Sequence, residues 1–483
     1  MVAPSPADPA SADTDTIVPL ADGFAAPDRE AWLALVGKTL KGAPLESLTR
    51  ETLEGLPILP LYEAAETAFP ARAAPGWDAR ALVANGDAAG ANAEALGDLA
   101  GGAGSLLIRI DPTGAAGVAI GAEGELARTL EGVLLDVAPV ALGAGFLGAK
   151  AADWLGALAK DAPAAQLAFH LDPFSVFAEA GASPGPIEAH LISAATVAAR
   201  LAAPYPRASL FLASGQVVHE AGGGEAAELA FAIAAALAYA KALTRAGLSI
   251  DEAFGRIVLG LAVDADYFLS VAKLRAARRL WARLTGACGV TVEAAIEARS
   301  SGRMLTRADP WTNMIRLTAA AFAAATGGAD AIVLGAFTDA LGAPTAFARR
   351  QSRNIQLVLA EEAHLGRVVD PAGGAGYLET LSDELARAAW ARFQAIEAAG
   401  GAGPALEAGL VAEATEESRA ELQARLGGKQ ARLLGVTDFP ASEGRDAAVE
   451  TSRPAAVDAP DPRLPGPDSH CPPLTAIRLE DLA

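Results

Sequence analysis

The sequence predicts an α/β chain built on a closed (β/α)8 TIM barrel, with an N-terminal wrapping arm and a C-terminal helical region and tail. Two observations carry that expectation. Short apolar runs alternate with helix-forming stretches, the pattern of a parallel sheet. The runs are Leu106–Ile110, Val133–Val137, Leu167–Leu171, Leu210–Ala213, Ile257–Val263, Met304–Thr306, Ala331–Leu334 and Val368–Val369. Eight such runs fit a closed barrel better than an open sheet. Several end in a polar residue, among them Asp111, Asp136, Asp172, Ser214, Asp264, Asp309 and Asp370.

The elements follow in order. Residues 1–27 are Ala, Pro, Asp and Ser with little to bury, and are expected to be mobile. Residues 28–75 hold an amphipathic helix around Trp32, Leu35, Val36 and Leu40, then Leu56–Tyr62. Pro57 and Pro60 make that second piece an extended arm, because proline cannot serve a central strand. The barrel is expected over 76–385, helices over 386–438 and a Pro-rich linker or tail over 439–483. The longest apolar run, Ala226 to Leu243, is interrupted by Glu228 and Lys241 and reads as a buried helix, not a membrane span. Bulky residues at Leu106–Ile110, Phe169, Phe211 and Val368–Val369 are expected to fill the barrel interior.

Composition excludes several classes of partner. The 483 residues carry a net charge of −20, which argues against nucleic acid and against an anionic membrane surface. Hydrophobic residues make up 52% against 20% charged, enough for a large core. Two cysteines, Cys288 and Cys471, are too few for a disulfide framework and suit a reducing, cytoplasmic setting. No basic stretch followed by an apolar core opens the chain, so no secretory leader is expected.

Local motifs are weak when taken alone. Gly143-Ala144-Gly145-Phe146-Leu147-Gly148 matches a dinucleotide fingerprint, but with 49 glycines roughly half a match is expected by chance. His170, His190, His219, His364 and His470 show no metal-ligand spacing, so no metal site is expected. Lys273, Arg275, Arg278, Arg279 and Arg283 form a basic helix, read first as a solvated or salt-bridged face, with a phosphate or subunit contact as alternatives. Asp370-Pro371-Ala372-Gly373-Gly374 is more often a strand-breaking turn than a catalytic loop.

Longer segments say more. KLRAARRLW (273–281), Ser301-Gly302-Arg303, LTRADPWTN (305–313), PTAFARRQSRNIQL (344–357) and DPAGGAGY (370–377) follow in order, after LKG (40–42) and TLEGLPILPLY (52–62). In that order and at those spacings they resemble the methylmalonyl-CoA mutase family. The resemblance implies a barrel that binds acyl-CoA and shields a radical rearrangement from water, with adenosylcobalamin held between the barrel and a separate cobalamin-binding domain. That domain's Asp-x-His-x-x-Gly motif is not found here, so no cofactor is expected on this chain alone.

The resemblance also implies losses in the barrel. Family members that catalyse carry a Tyr-His pair in a segment ending Glu-Ala-Gly. Here the segment reads SGQVVHEAG (214–222), which puts Gln216 and Val217 at those positions and His219 two residues late. AFHLD (168–172) puts His170 where the family has Gln, and the arginine that pairs the substrate carboxylate falls on Ala180. The capping Tyr-Thr-Arg-Gly loop is reduced to FPARAAPG (69–76). Losing a bidentate arginine costs on the order of 2–5 kcal/mol, and losing a general acid typically about 10²–10⁴-fold. The reading implied is a small, non-catalytic subunit that stabilises a catalytic large subunit in a heterodimer, with adenosylcobalamin in the partner. The resemblance also implies that residues 28–75 contact that partner subunit. The alternatives are an active substrate-binding subunit whose cobalamin domain is another chain, and a regulatory or chaperone-like binder of the mutase.

Overall fold

A computed structural model describes residues 23, 28–65, 69–162, 164–440, 446–451 and 456–483. The tail expected over 1–27 lies outside the described residues apart from Gly23, as do 441–445 and 452–455 of the C-terminal tail. The chain divides into two compact units, residues 1–50 and 51–483.

In the first unit helix α1 spans Arg29–Leu40. Asp28 caps it by accepting a hydrogen bond from the Ala31 amide at 2.8 Å, and Lys41 ends it in the left-handed region. None of its residues is buried, and Leu35 is 61% exposed.

The second unit is built on eight parallel strands that close on themselves: β1 Asp78–Val83, β2 Ser105–Arg109, β3 Val140–Gly143, β4 Leu167–Leu171, β5 Ser209–Ser214, β6 Ile257–Val263, β7 Ala295–Ser300 and β8 Ala331–Val333. Around them run α2 (Ala88–Ala100), α3 (Glu123–Thr129), α4 (Gly148–Leu158), α5 (Pro173–Ala180), α6 (Ile187–Ala202), α7 (Gln216–Glu220), α8 (Glu225–Arg245), α9 (Ile250–Gly255), α10 (Tyr267–Ala287), α11 (Asn313–Gly327) and α12 (Ala346–Leu357). Three more helices follow, α13 (Gly376–Ala398), α14 (Ala402–Glu407) and α15 (Leu410–Gly427). This is the expected (β/α)8 architecture.

Five strands lie where the apolar runs predicted and three do not. Val133–Val137 is a loop with Leu134 and Val137 exposed, and Met304–Thr306 and Val368–Val369 are irregular. The true strands β1 and β7 were missed because charges interrupt them: Asp78 and Arg80 in one, Glu297 and Arg299 in the other. The expected bulky filling is also corrected. Phe169 packs edge-on to Tyr205 and Phe211 stacks on Tyr239, both toward the outer helices, while Val368 and Val369 sit in a loop. The inward faces carry Leu82, Leu107, Ala141, Ala168 and Val333.

The basic helix α10 is an internal hub, not a solvated face. The Lys273 ammonium donates to Glu228 Oε2 at 2.6 Å, with both side chains out of solvent. Glu228 Oε1 also accepts from the Ala262 amide of β6, which ties α8 to the sheet. Arg275 pairs with Glu379 and with Asp370, so the Asp370 turn is a structural anchor. Arg278 reaches Asp330 and the carbonyls of Ala294 and Gly328 beneath the strands. Arg283 lies 4.1 Å over the Trp390 ring.

Both ends of this unit are laid over the barrel. On the N-terminal side, Glu54 accepts from the Ala226 amide at 2.8 Å and so caps α8 from a distance. Tyr62 meets Tyr377 at 5.1 Å between ring centres. The arm passes so close that a Cβ on Gly376 would lie 1.7 Å from the Glu63 carbonyl oxygen. On the C-terminal side, residues 446–451 and 456–483 form a belt. Val449–Glu450 pairs antiparallel with Ala343–Pro344, the Val457 amide bonds Pro112, and Ser469–His470 pairs with Ala182–Ser183. The amides of Leu474, Ile477 and Leu479 then bond the carbonyls of Ala178, Glu220 and Arg303. These contacts lie in the segments that follow a barrel strand, α5 and α7 included, and the belt reaches the C-terminal mouth.

Replacing Lys273 by Met should strand the Glu228 carboxylate in the interior at a cost of about 3–5 kcal/mol. Arg279→Met, which breaks the half-exposed pair with Asp383, should cost no more than about 1 kcal/mol. Urea unfolding of the two variants measures the contrast, and equal midpoints would refute it.

Candidate functional site

A cavity of ≈ 1170 Å³ opens at the C-terminal ends of the strands, where (β/α)8 barrels hold their chemistry. Its floor is an ion-pair cluster. Arg80 bridges Asp78 at 2.9 Å and Glu297 at 2.5 Å, and Arg299 reaches Glu297 at 2.6 Å. Burial disfavours the Glu297 charge, but Arg299 and Arg80 outweigh it and hold this carboxyl far below the usual range. Alternation places these groups inward, since residues two apart on a strand share a face.

His170 sits above that floor. The β4–β5 register slips between Ala168 and Leu171, and His170 takes φ +47°, rare for a residue with a side chain. Its side chain is buried, and neither ring nitrogen has a hydrogen-bond partner among the described residues. Burial, then the nearby arginines, push its pKa down to about 3 against the pull of Glu297, so the ring is neutral at neutral pH. Asp172 ends the same strand. It accepts from the Tyr239 hydroxyl at 2.6 Å and caps α5 through the Ser175 amide, and burial raises its carboxyl to about 6.

The sequence-derived positions divide here. His170, Gln216 and Val217 all line the cavity, the last two from the first turn of α7. Ala180 does not. It ends α5 exposed, and α5 instead offers Ser175, Val176 and Glu179. His219 lies on the other side of α7, fully buried, with Nδ1 3.4 Å from Glu228 and Nε2 3.8 Å from Asp264. The loop 69–76 is away from the mouth: Phe69 lies 5.0 Å from the guanidinium groups of Arg275 and Arg279, and Arg72 donates to the Val368 carbonyl.

Sequence reasoning missed Arg80, Arg109, Glu297 and Arg299. The available signal was the alternation of charged and apolar residues in DARALV and AIEARS. Among the described residues, His219, Glu225 and Asp264 bring ligand-type atoms within 4.8 Å of one another. Lys273 and Arg303 already stand in that cluster, with Arg303 3.3 Å from Asp264. Burial, Arg303 and Lys273 lower the His219 pKa, while burial and the neighbouring Glu54 push the Glu225 carboxyl up to about 8. Gly143–Gly148 does form a strand, a turn and a helix, but the turn at Gly143–Gly145 lines the same cavity as the charged cluster.

A closed parallel barrel with a polar cavity at its C-terminal mouth places the chain in the class of (β/α)8 barrels. The methylmalonyl-CoA mutase family model matches residues 77–460. The methylmalonyl-CoA mutase small subunit of Streptomyces virginiae is 38% identical over 475 residues, covering 92% of this chain and 75% of that protein. The probable methylmalonyl-CoA mutase small subunit of Mycobacterium bovis is 39% identical over 378 residues, covering 76% of this chain and 59% of its own length. The methylmalonyl-CoA mutase large subunit of Streptomyces virginiae is 35% identical over 238 residues, 48% of this chain and 32% of that protein. The chain belongs to the methylmalonyl-CoA mutase family.

Asp172 gives a pH test. Its folded pKa of about 6 lies above the ordinary carboxyl value of 3.8, so its stability contribution is complete below pH 3.8 and lost as pH rises through 6. Asp172→Asn keeps an acceptor for Tyr239 and Ser175 but cannot ionise. The melting temperature of the variant relative to the parent should therefore rise between pH 4 and pH 7. A constant difference across that range would show that Asp172 is not perturbed.

Proposed function

We propose that this chain is the small, non-catalytic subunit of a heterodimeric, adenosylcobalamin-dependent methylmalonyl-CoA mutase, which interconverts methylmalonyl-CoA and succinyl-CoA. In this reading it stabilises a catalytic large subunit and works in the cytoplasm. The observation that carries it is α7. Gln216 and Val217 face the cavity where the family's Tyr-His pair would stand, and His219 is held behind the helix by Glu228 and Asp264. No proton can be delivered to the cavity from a valine, and His170, neutral and without a partner, is in no position to replace a charged acid.

The residues at this mouth do not fit a cobalamin site. The belt of residues 446–451 and 456–483 runs along the rim, and Leu474 and Ala476 enter the cavity wall. The cofactor is therefore assigned to the partner, and no step is routed through it here. Helix α8 is the one described helix long and apolar enough to cross a membrane, but 83% of its apolar window is buried in the barrel, so a core role is proposed. The exposed apolar residues of α1 and the arm residue Leu59, 44% exposed, are the proposed contacts with the large subunit. A second reading, an active substrate-binding subunit with cobalamin on another chain, is favoured by one observation: the cavity is open, not filled by side chains.

Mutase assays separate the readings. The purified chain with added adenosylcobalamin should give no turnover, and the complex with the large subunit should be active. In that complex Val217→Ala should leave kcat unchanged, with a stability loss of about 1 kcal/mol. A large fall in kcat with assembly intact would favour the second reading. Removing residues 1–50 should weaken co-purification with the large subunit and leave the barrel folded. A truncated chain that still forms a fully active complex would exclude α1 as an interface.

A further inference from the structure

Arg109 has no counterpart in the features described so far. It ends β2 and points into the cavity. No hydrogen bond or ion pair reaches its guanidinium among the described residues, whereas Arg80, Arg299 and Arg303 are each held by carboxylates. Its side chain is open to water and lines the cavity. Burial and then Arg299 act against its charge, while Asp339, Glu179 and Glu220 face it and act in favour. Two of these carboxylates are already engaged. Glu220 accepts from the amides of Gly302 and Arg303 at 3.0 Å, and Asp339 accepts from the Ala336 amide at 2.9 Å. His170, with a strained backbone and two unpartnered ring nitrogens, lines the same cavity.

We propose that the cavity binds a small metabolite through an oxyanion group, a carboxylate or a phosphate, seated on Arg109 and flanked by Arg299. An arginine offers such a group two parallel hydrogen bonds, and an anion between two guanidinium groups turns their repulsion into two attractions. The unpaired Arg109 is the polar group that such a ligand would satisfy. This goes beyond the structural role proposed above, because a barrel without its proton donor would still sense a metabolite. It is also distinct from the substrate-carboxylate position of the family, which falls on Ala180, outside the cavity.

The test uses the full-length chain alone, so it does not depend on the mutase assignment. Inorganic phosphate and succinate are titrated separately by calorimetry, which distinguishes the two forms of oxyanion. At least one should bind with Kd below about 1 mM, and Arg109→Met should weaken it tenfold or more. Arg207→Met, at a surface loop, should bind like the parent. Because Arg109→Met could disturb folding, the parent is also treated with the arginine reagent phenylglyoxal and mapped by peptide mass. Arg109 should be modified rapidly, and the bound probe should protect it. The proposal is overturned if neither probe binds, if Arg109→Met binds like the parent, or if Arg109 reacts equally with and without probe.

Discussion

Glu297 stands in the middle of a closed barrel with no solvent around it, and its charge survives only because Arg80 and Arg299 are placed against it. That constraint, that a charge taken into the barrel must bring its partner, arranges much of the structure. It puts Asp78 and Arg80 on β1 and Glu297 and Arg299 on β7, on either side of the short β8. With only three residues in β8, the cluster bridges the thinnest part of the wall. The same rule governs the outer layer, where Lys273 of α10 neutralises Glu228 of α8, and Glu228 in turn holds the β6 backbone.

The rule also explains how far the fold could be read from the sequence. Strands that face apolar groups on both sides, such as LAFHL and IVLGLAV, are continuous apolar runs and were placed within a residue. Strands that carry the interior charges were not, because Asp78, Arg80, Glu297 and Arg299 break the run that marks a buried strand. The number of strands and the closed topology survived because loop segments near the missing strands, such as Val133–Val137 before β3, were counted instead. The basic helix was misread for the same reason: five cations in an acidic chain suggest a wet face, yet three of them are buried with their carboxylates.

The mouth was legible only through the resemblance. Gln216, Val217 and His170 were located by an anchor in the sequence, and all three reach the cavity. Ala180 was located by counting along α5, and a helix turns about 100° per residue, so a displacement of one residue swings a side chain off the site. Glu179 takes the place at the wall. Arg109 carried no motif at all. It is a single charge at the end of an apolar strand, and its importance comes from what does not touch it, which no local pattern records.

Helix α7 separates residues that hold the fold from residues that face the cavity. Within five residues it holds both kinds of position. Glu220 accepts the amides of Gly302 and Arg303, and His219 fills a pocket between Glu228 and Asp264, so both join the β5 loop to the neighbouring elements. Gln216 and Val217, one turn earlier, touch the cavity. Changing Glu220 would remove an acceptor from the Gly302 and Arg303 amides, a cost of up to a few kcal/mol. Changing a cavity residue costs only the contacts of one side chain. Substitutions at 216 and 217 therefore cost the fold less than substitutions in the Glu-Ala-Gly that follows, which the framework holds. The chemistry of this mouth can change independently of the stability of the barrel, because the charges that hold the barrel together and the groups that face the cavity are different residues.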